Sequence, residues 1–270
     1  MIEETVDIVR SRLSFNGSDA IILGSGLGTF AKHLKKKLIL PYSKIPGLPR
    51  STVAGHHGEL ISGYHGERQV VVAKGRFHYY EGYDISTVVL PVRIFNALGV
   101  RNLIITNSSG SITRSNPPGT LMAIKGHFDC TFRNGPDDPE LRSNERYHDS
   151  SMLSIAKKVA KKIKINLAQG NYCWTLGPSY ETAAEIDYFR QLGGNAVGMS
   201  TVPEVQEGAK LGMHILVLSV LTNYASGITM SELTHDEVLE TANKTGKYFI
   251  SLLLGIIAQL KPENGIKSKI

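Results

Sequence analysis

The sequence predicts a single α/β domain, a central sheet with helices packed against it, and three observations support this. Four continuous apolar runs each break abruptly into glycine or polar residues. Segments with helical spacing alternate with those runs. No internal repeat and no linker divides the chain, so residues 1–270 read as one domain.

The first run, Ala20 to Leu23, breaks into Gly24-Ser25-Gly26-Leu27-Gly28, and the second, Val70 to Ala73, into Lys74-Gly75-Arg76-Phe77-His78. Leu103 to Ile105 leads into Thr106-Asn107-Ser108-Ser109-Gly110, and Ile215 to Leu218 leads to Thr222-Asn223. Runs that are apolar throughout fit strands covered on both faces, as at the centre of an α/β sheet. Ligands of such sheets bind beyond the carboxyl ends of the strands. Ser25, Arg76, His78, Asn107 and Asn223 stand there, a set suited to an anion and a polar ring.

The remaining elements follow in order. A helix over Glu4 to Leu13 precedes the first strand, and a short helix over Thr29 to Lys36 follows its glycine turn. Leu60 to Ala73 reads as a hairpin turning at His65-Gly66-Glu67-Arg68. Helical spacing returns from Ile85 to Leu98, interrupted by Pro91. The stretch 126–149 is polar, carries Asn134, Gly135, Pro136 and Pro139, and reads as a long loop of the kind that closes over ligands. Helix, strand, helix, strand and helix then run to about Leu260. Thr182 with Glu185, Thr201 with Glu204 and Thr234 with Glu237 have capping-box spacing. They put Glu181 just before one helix, Ser200 directly ahead of another and His235 in the first turn of a third. Free amides at such helix starts favour a bound anion.

Composition excludes several classes. With 41% hydrophobic and 20% charged residues the chain is globular, not disordered. The apolar stretch from Tyr248 to Leu260 is broken by Ser251 and Gly255 and falls short of the roughly 20 residues a membrane span needs. The acidic N-terminus lacks a signal-peptide pattern. Cys130 and Cys173 lack metal-ligand spacing, so a reducing, cytoplasmic setting without membrane is expected. The net charge of +6 raises nucleic acid as a partner. The lysines, among them Lys35 to Lys37 and Lys157, Lys158, Lys161, Lys162 and Lys164, instead form solvated faces without interleaved aromatics, so no nucleic acid is expected.

The polar motifs narrow the chemistry. The turn Gly24-Ser25-Gly26-Leu27-Gly28 has its third glycine one position early for a dinucleotide fingerprint, and no lysine completes a Walker loop. It suits a single phosphate, held by backbone amides and Ser25. In an extended segment Arg76 and His78 face one side, so both can reach one anion, while Phe77 points into the core. Gly55-His56-His57-Gly58 reads as a loop able to close over a ligand. No carboxylate or cysteine is spaced to complete a metal site there, so no metal is expected.

Together these stretches, with Tyr79-Tyr80-Glu81-Gly82-Tyr83, Gly177-Pro178-Ser179-Tyr180-Glu181-Thr182 and Val197-Gly198-Met199-Ser200-Thr201-Val202-Pro203-Glu204, stand in the order of a known family. The chain closely resembles the trimeric branch of the nucleoside phosphorylase family over about residues 18 to 260, with segment 126–149 matching poorly. The resemblance implies a twisted, mixed central sheet and phosphorolysis of 6-oxopurine ribo- and deoxyribonucleosides in purine salvage. Phosphate would be a co-substrate, with no cofactor. It implies phosphate held by Ser25, His56, Arg76, His78, Ser108 and Ser200. The sugar would lie against Tyr80 and Met199 with His235 on its 5′-hydroxyl, and the base would meet Tyr180, Glu181 and Asn223. His78, Glu181 and Asn223 would carry the catalysis. A homotrimer is implied, with Tyr147 matching an aromatic that a neighbouring subunit lends to the sugar pocket. Ser108-Ser109 departs from the family's usual pair of alanines, and the stretch from Asn223 to His235 is short. Two alternatives are a methylthioadenosine phosphorylase, which typically has aspartate where Asn223 stands, and a catalytically silent nucleoside-binding protein.

Overall fold

In this computed structural model, residues 2–49, 58–133, 135–137, 139–229 and 235–260 are described. Among them, helix α1 (Ile2–Leu13) leads to strand β1 (Asp19–Leu23), edge strand β2 (Lys35–Pro41) and the hairpin of β3 (Glu59–His65) and β4 (Arg68–Lys74). Helices α2 (Ile85–Val88) and α3 (Leu90–Ala97) precede β5 (Asn102–Ser111) and β6 (Leu121–Asp129). There follow α4 (Ser150–Lys162), β7 (Leu167–Trp174), α5 (Ala183–Gln191), β8 (Ala196–Gly198), α6 (Val202–Lys210), β9 (His214–Tyr224) and α7 (His235–Ile257). The α/β fold has a mixed sheet flanked by helices, as expected.

The sheet order is β2-β3-β4-β1-β5-β8-β7-β6-β9, and β9 also pairs with β5. Five strands, β5, β8, β7, β6 and β9, therefore close into a ring, and the other four extend from β5 as an open wing. At the junction β4, β1, β5 and β9 run parallel. The apolar runs are covered on both faces. Ala20 and Ile22 join one core with Val71, Ala73, Leu103, Ile105 and Val217. Ile21 and Leu23 join a second with Val70, Val72, Ile104, Leu216 and Leu218. Alternate side chains of a strand point to opposite faces, so a strand feeding two cores must be apolar at every position. Each valine, leucine or isoleucine among them contributes about 1.5–3 kcal/mol by burial. The polar start of β1 is also tied down: Asp19 is buried and bonded to Arg68 on β4 and Asn102 on β5.

Three expectations change. The segment after the glycine turn is a 3₁₀ turn, Gly28–His33, and Lys35 to Lys37 lie on β2 rather than ending a helix. The lysines occupy an exposed edge strand beside Leu38 and Ile39, where charge discourages pairing with another chain. The stretch from 126 is not loop throughout: β6 continues to Asp129, and Arg142 pairs back to His127 by two backbone hydrogen bonds. The three-residue β8 adds a strand too short to carry a periodic signal. The hairpin turning at 65–68 and the helix break beside Pro91 are found as read, with Pro91 in the first turn of α3. The α4 lysines are exposed, as a solvated face requires.

Candidate active site

The carboxyl ends of β1, β4, β5 and β9 converge on a cavity of about 370 Å³. Its lining gathers Ser25, Arg76, His78, Tyr80, Asn107, Ser108, Tyr180, Glu181, Met199, Ser200 and Asn223. Residues drawn from across the sequence thus share one wall.

One end is built by the turn after β1 and the exit of β4. Gly24 passes so close to β5 that a Cβ there would sit 2.6 Å from the Asn107 Cα, so only glycine fits. Its amide donates to Thr106 Oγ1 at 3.1 Å, and the Ser108 hydroxyl donates to the Ser25 carbonyl at 2.8 Å. The turn is thereby fastened to β5. Phe77 is fully buried against Tyr42 and Tyr83, so the alternation that sends Arg76 and His78 to the cavity holds.

Arg76 itself is only 2% exposed. Its Nε donates to Glu204 Oε1 at 2.9 Å and its Nη1 to Ser200 Oγ at 3.1 Å. Its buried Nη2 has no hydrogen-bond partner among the described residues. An unpartnered buried donor on a cation costs about 1–3 kcal/mol or more, and an anion in the cavity would offset that. Glu204 therefore does not close a capping box with Thr201, contrary to its spacing. Thr201 adopts a positive φ of 79° without a side-chain cap bond, and the carboxylate turns to the guanidinium instead. The requirement to pair a buried charge outweighs a cap worth about 1 kcal/mol. Beside them, His78 Nδ1 lies 3.0 Å from Glu81 Oε1, which also accepts from the His78 amide, and the imidazole stacks on Tyr80 at 4.7 Å. Burial pushes the Tyr80 hydroxyl up to about 12, so it stays a neutral phenol.

The other end is built by the loop after β7 and the exit of β9. Gly177, at φ 70°, lies against Met199 and Tyr80 so closely that a Cβ would collide with the Met199 sulfur. That approach brings Tyr180 and Glu181 over the cavity, with Tyr180 44% exposed. The capping box of Thr182 and Glu185 forms as read, so Glu181 directly precedes α5. Burial raises the Glu181 carboxyl above its ordinary range, and a hydrogen bond from Thr175 opposes that rise. At the end of β9 the Asn223 amide Nδ2 donates to the Tyr224 carbonyl at 2.9 Å, and Thr222 Oγ1 donates to Asn223 Oδ1 at 3.0 Å.

Three expected residues stand apart. His56 lies outside the described residues, and so does the side chain of His235, the residue that begins α7. Thr234 and Glu237 share that standing, so the third capping box is not described. Tyr147 does not line this cavity: its ring meets His127 edge-on at 5.3 Å under the Arg142 guanidinium. His127 and His148, 3.0 Å apart, are held neutral by burial, which pushes them down to about 3 and about 4.

Sequence reasoning missed Glu204 and Thr175 as supports. Glu204 had a legible signal: an acid inside a helix start whose neighbours, Val202, Pro203 and Val205, are all apolar needs a buried cation. Thr175 had none, because a threonine at a strand end is unremarkable until its partner is known.

Residues 19–258 match the family model described as the phosphorylase superfamily. The chain is 41% identical over 268 residues to purine nucleoside phosphorylase 1 of Geobacillus stearothermophilus, covering 96% of this chain and 97% of the relative. It superposes on a Schistosoma purine nucleoside phosphorylase solved with hypoxanthine at a TM-score of 0.87 and 33% identity, over 96% of this chain and 97% of the other. A Schistosoma mansoni purine nucleoside phosphorylase solved with inosine gives 0.88 and 32%, over 97% of both chains.

Proposed function

The chain belongs to the phosphorylase superfamily, and from that premise we propose that it catalyses phosphorolysis of 6-oxopurine ribo- and deoxyribonucleosides, inosine and guanosine among them. Phosphate attacks the anomeric carbon, the bond to the purine nitrogen breaks with its electron pair leaving on the base, and the products are free purine and the inverted sugar 1-phosphate. The observation that carries this reading is the buried Arg76 fork, with Nη2 unpartnered among the described residues, in the same cavity as Glu181 and Asn223.

The roles follow from the chemistry of each group. Arg76, Ser25, His56, Ser200, the amide of Ser108 and His78 hold the phosphate, with the Arg76 fork matched to its oxygens. Tyr80 and Met199 bound the sugar, and His235 bonds its 5′-hydroxyl. Tyr180 stacks near the base, Glu181 accepts its ring N–H, and Asn223 bonds the imidazole ring and the 6-oxygen. Bond breaking builds positive charge on the sugar and negative charge on the purine. The phosphate dianion stabilises the first, and the Glu181 and Asn223 contacts stabilise the second. Asn223 favours this reading over methylthioadenosine cleavage, because its amide can donate to a 6-oxygen.

The proposal extends to the whole protein. Residues 1–270 act as one nucleoside phosphorylase domain, in the cytoplasm, without metal or organic cofactor and without nucleic acid. No group of metal-ligating side chains occurs among the described residues, and no described helix is long and apolar enough to cross a membrane. A cyclic homotrimer brings Tyr147 toward a neighbour's sugar pocket. The test of function is 31P NMR of inosine with phosphate: a sugar 1-phosphate signal growing with free hypoxanthine supports phosphorolysis. Ribose without phosphate ester, or no turnover, overturns it.

A further inference from the structure

We propose that Thr175 is a positioning residue that keeps Glu181 in its acceptor state and so sets the preference for 6-oxopurines. The inference rests on the proposed function and deepens it. Thr175 is buried at the end of β7, its amide donating to the Gly198 carbonyl of the neighbouring β8 at 3.0 Å. That bond fixes the backbone from which its hydroxyl reaches Glu181 Oε1 at 2.6 Å. The hydroxyl lies 3.5 Å from the Gly198 carbonyl, so the carboxylate is the closer acceptor for its proton.

The consequence concerns which proton pattern Glu181 presents. A carboxylate that already takes one O–H on Oε1 keeps acceptor capacity for the ring N–H of a 6-oxopurine. A protonated Glu181 would instead carry an O–H donor. It would then complement the ring of a 6-aminopurine, which offers an acceptor at the corresponding nitrogen. Glu181 sits where burial, and to a smaller degree the nearby Glu185 carboxylate, favour the neutral acid, while the Thr175 hydroxyl and, less strongly, Glu181's own amide work against it. Thr175 thus biases the site between two substrate patterns without touching either.

The test compares wild type, Thr175→Val, which keeps the β-branched shape, and Thr175→Ser, which restores the hydroxyl. The measurement is kcat/KM for inosine and for adenosine from pH 5 to 8, at saturating phosphate. Losing a hydrogen bond to a charged group is expected to move the acidic limb for inosine up by about one pH unit, roughly tenfold in activity on that limb. The adenosine-to-inosine ratio below the limb is expected to rise by a similar factor, and Thr175→Ser to follow wild type. An active Thr175→Val with the wild-type limb and ratio, or with a loss equal at every pH, overturns the inference. If that variant does not fold, Thr175→Ala carries the same two outcomes. Wild-type enzyme without phosphate-dependent cleavage of inosine would instead sink the functional reading itself, which is a separate result.

Discussion

The two ends of the cavity are built on different principles. The end at Arg76 and Ser25 stands on the mouths of adjacent parallel strands, and its central cation is buried against Glu204, with exposures of 2% and 1%. The end at Glu181 and Asn223 stands on a loop and on the last residues of β9. Its outermost aromatic, Tyr180, is 44% exposed, and its key carboxylate is held by the Thr175 hydroxyl and its own backbone amide. A buried ion pair resists any change in either partner, since removing one leaves the other charged and unsolvated. A half-exposed loop carrying one ionisable carboxylate can change its donor and acceptor pattern by gaining or losing a single proton. The anion end is therefore suited to a constant co-substrate, and the base end to discrimination.

The largest expected effect tests the rigid end. Arg76→Ala should lower kcat/KM for phosphate about ten- to a hundredfold, the worth of a charged hydrogen bond. It should also destabilise the fold by about 3–5 kcal/mol, because Glu204 remains buried without its partner. Phosphate saturation curves and urea unfolding check both parts, and unchanged phosphate saturation would remove Arg76 from the ligand set. A smaller effect tests the adaptable end. Asn223→Asp replaces the amide donor by an acceptor, and should shift the kcat/KM ratio toward 6-aminopurine nucleosides by about tenfold, one hydrogen bond's worth. The substitution also removes the donor to the Tyr224 carbonyl, so urea stability should fall by about 1–2 kcal/mol, and a loss as large as that of Arg76→Ala would erase the contrast between the ends. The smallest belongs to Tyr180→Ala. A half-exposed stacking ring is worth about 0.5–1.5 kcal/mol, so KM for inosine should rise a few-fold with the phosphate KM unmoved.

The same contrast explains what could be read from the sequence. Strand runs that feed two cores, such as Ala20 to Leu23, must be apolar at every position, and the polar residues at their ends lie next to them in the chain. Ser25, Arg76, His78, Asn107 and Asn223, which share the cavity lining, are legible for that reason. The supports are harder to read: Thr175 lies only six residues from Glu181 but carries no pattern that marks it as a partner, and Glu204 reaches Arg76 from 128 residues away. Its spacing from Thr201 also mimics a helix cap, and only burial decides between the two partners. The edge strand β2 escaped notice because five of its seven positions are exposed, which removes the alternation that marks a half-buried strand. Strand β6 runs past the polar break at Gly126 and His127 because its backbone goes on pairing with β7 as far as Trp174 and, at His127, with Arg142.

In the proposed function, one cavity joins an anion site at Arg76 to a base site at Glu181 and Asn223 that prefers 6-oxopurines. Paired initial rates for inosine and adenosine, each with and without saturating phosphate at pH 7, test it most directly. Base release is expected to require phosphate and to be faster for inosine by orders of magnitude, because the wrong base leaves buried groups unpaired. Adenosine cleaved as fast as inosine, or inosine cleaved equally well without phosphate, would contradict it.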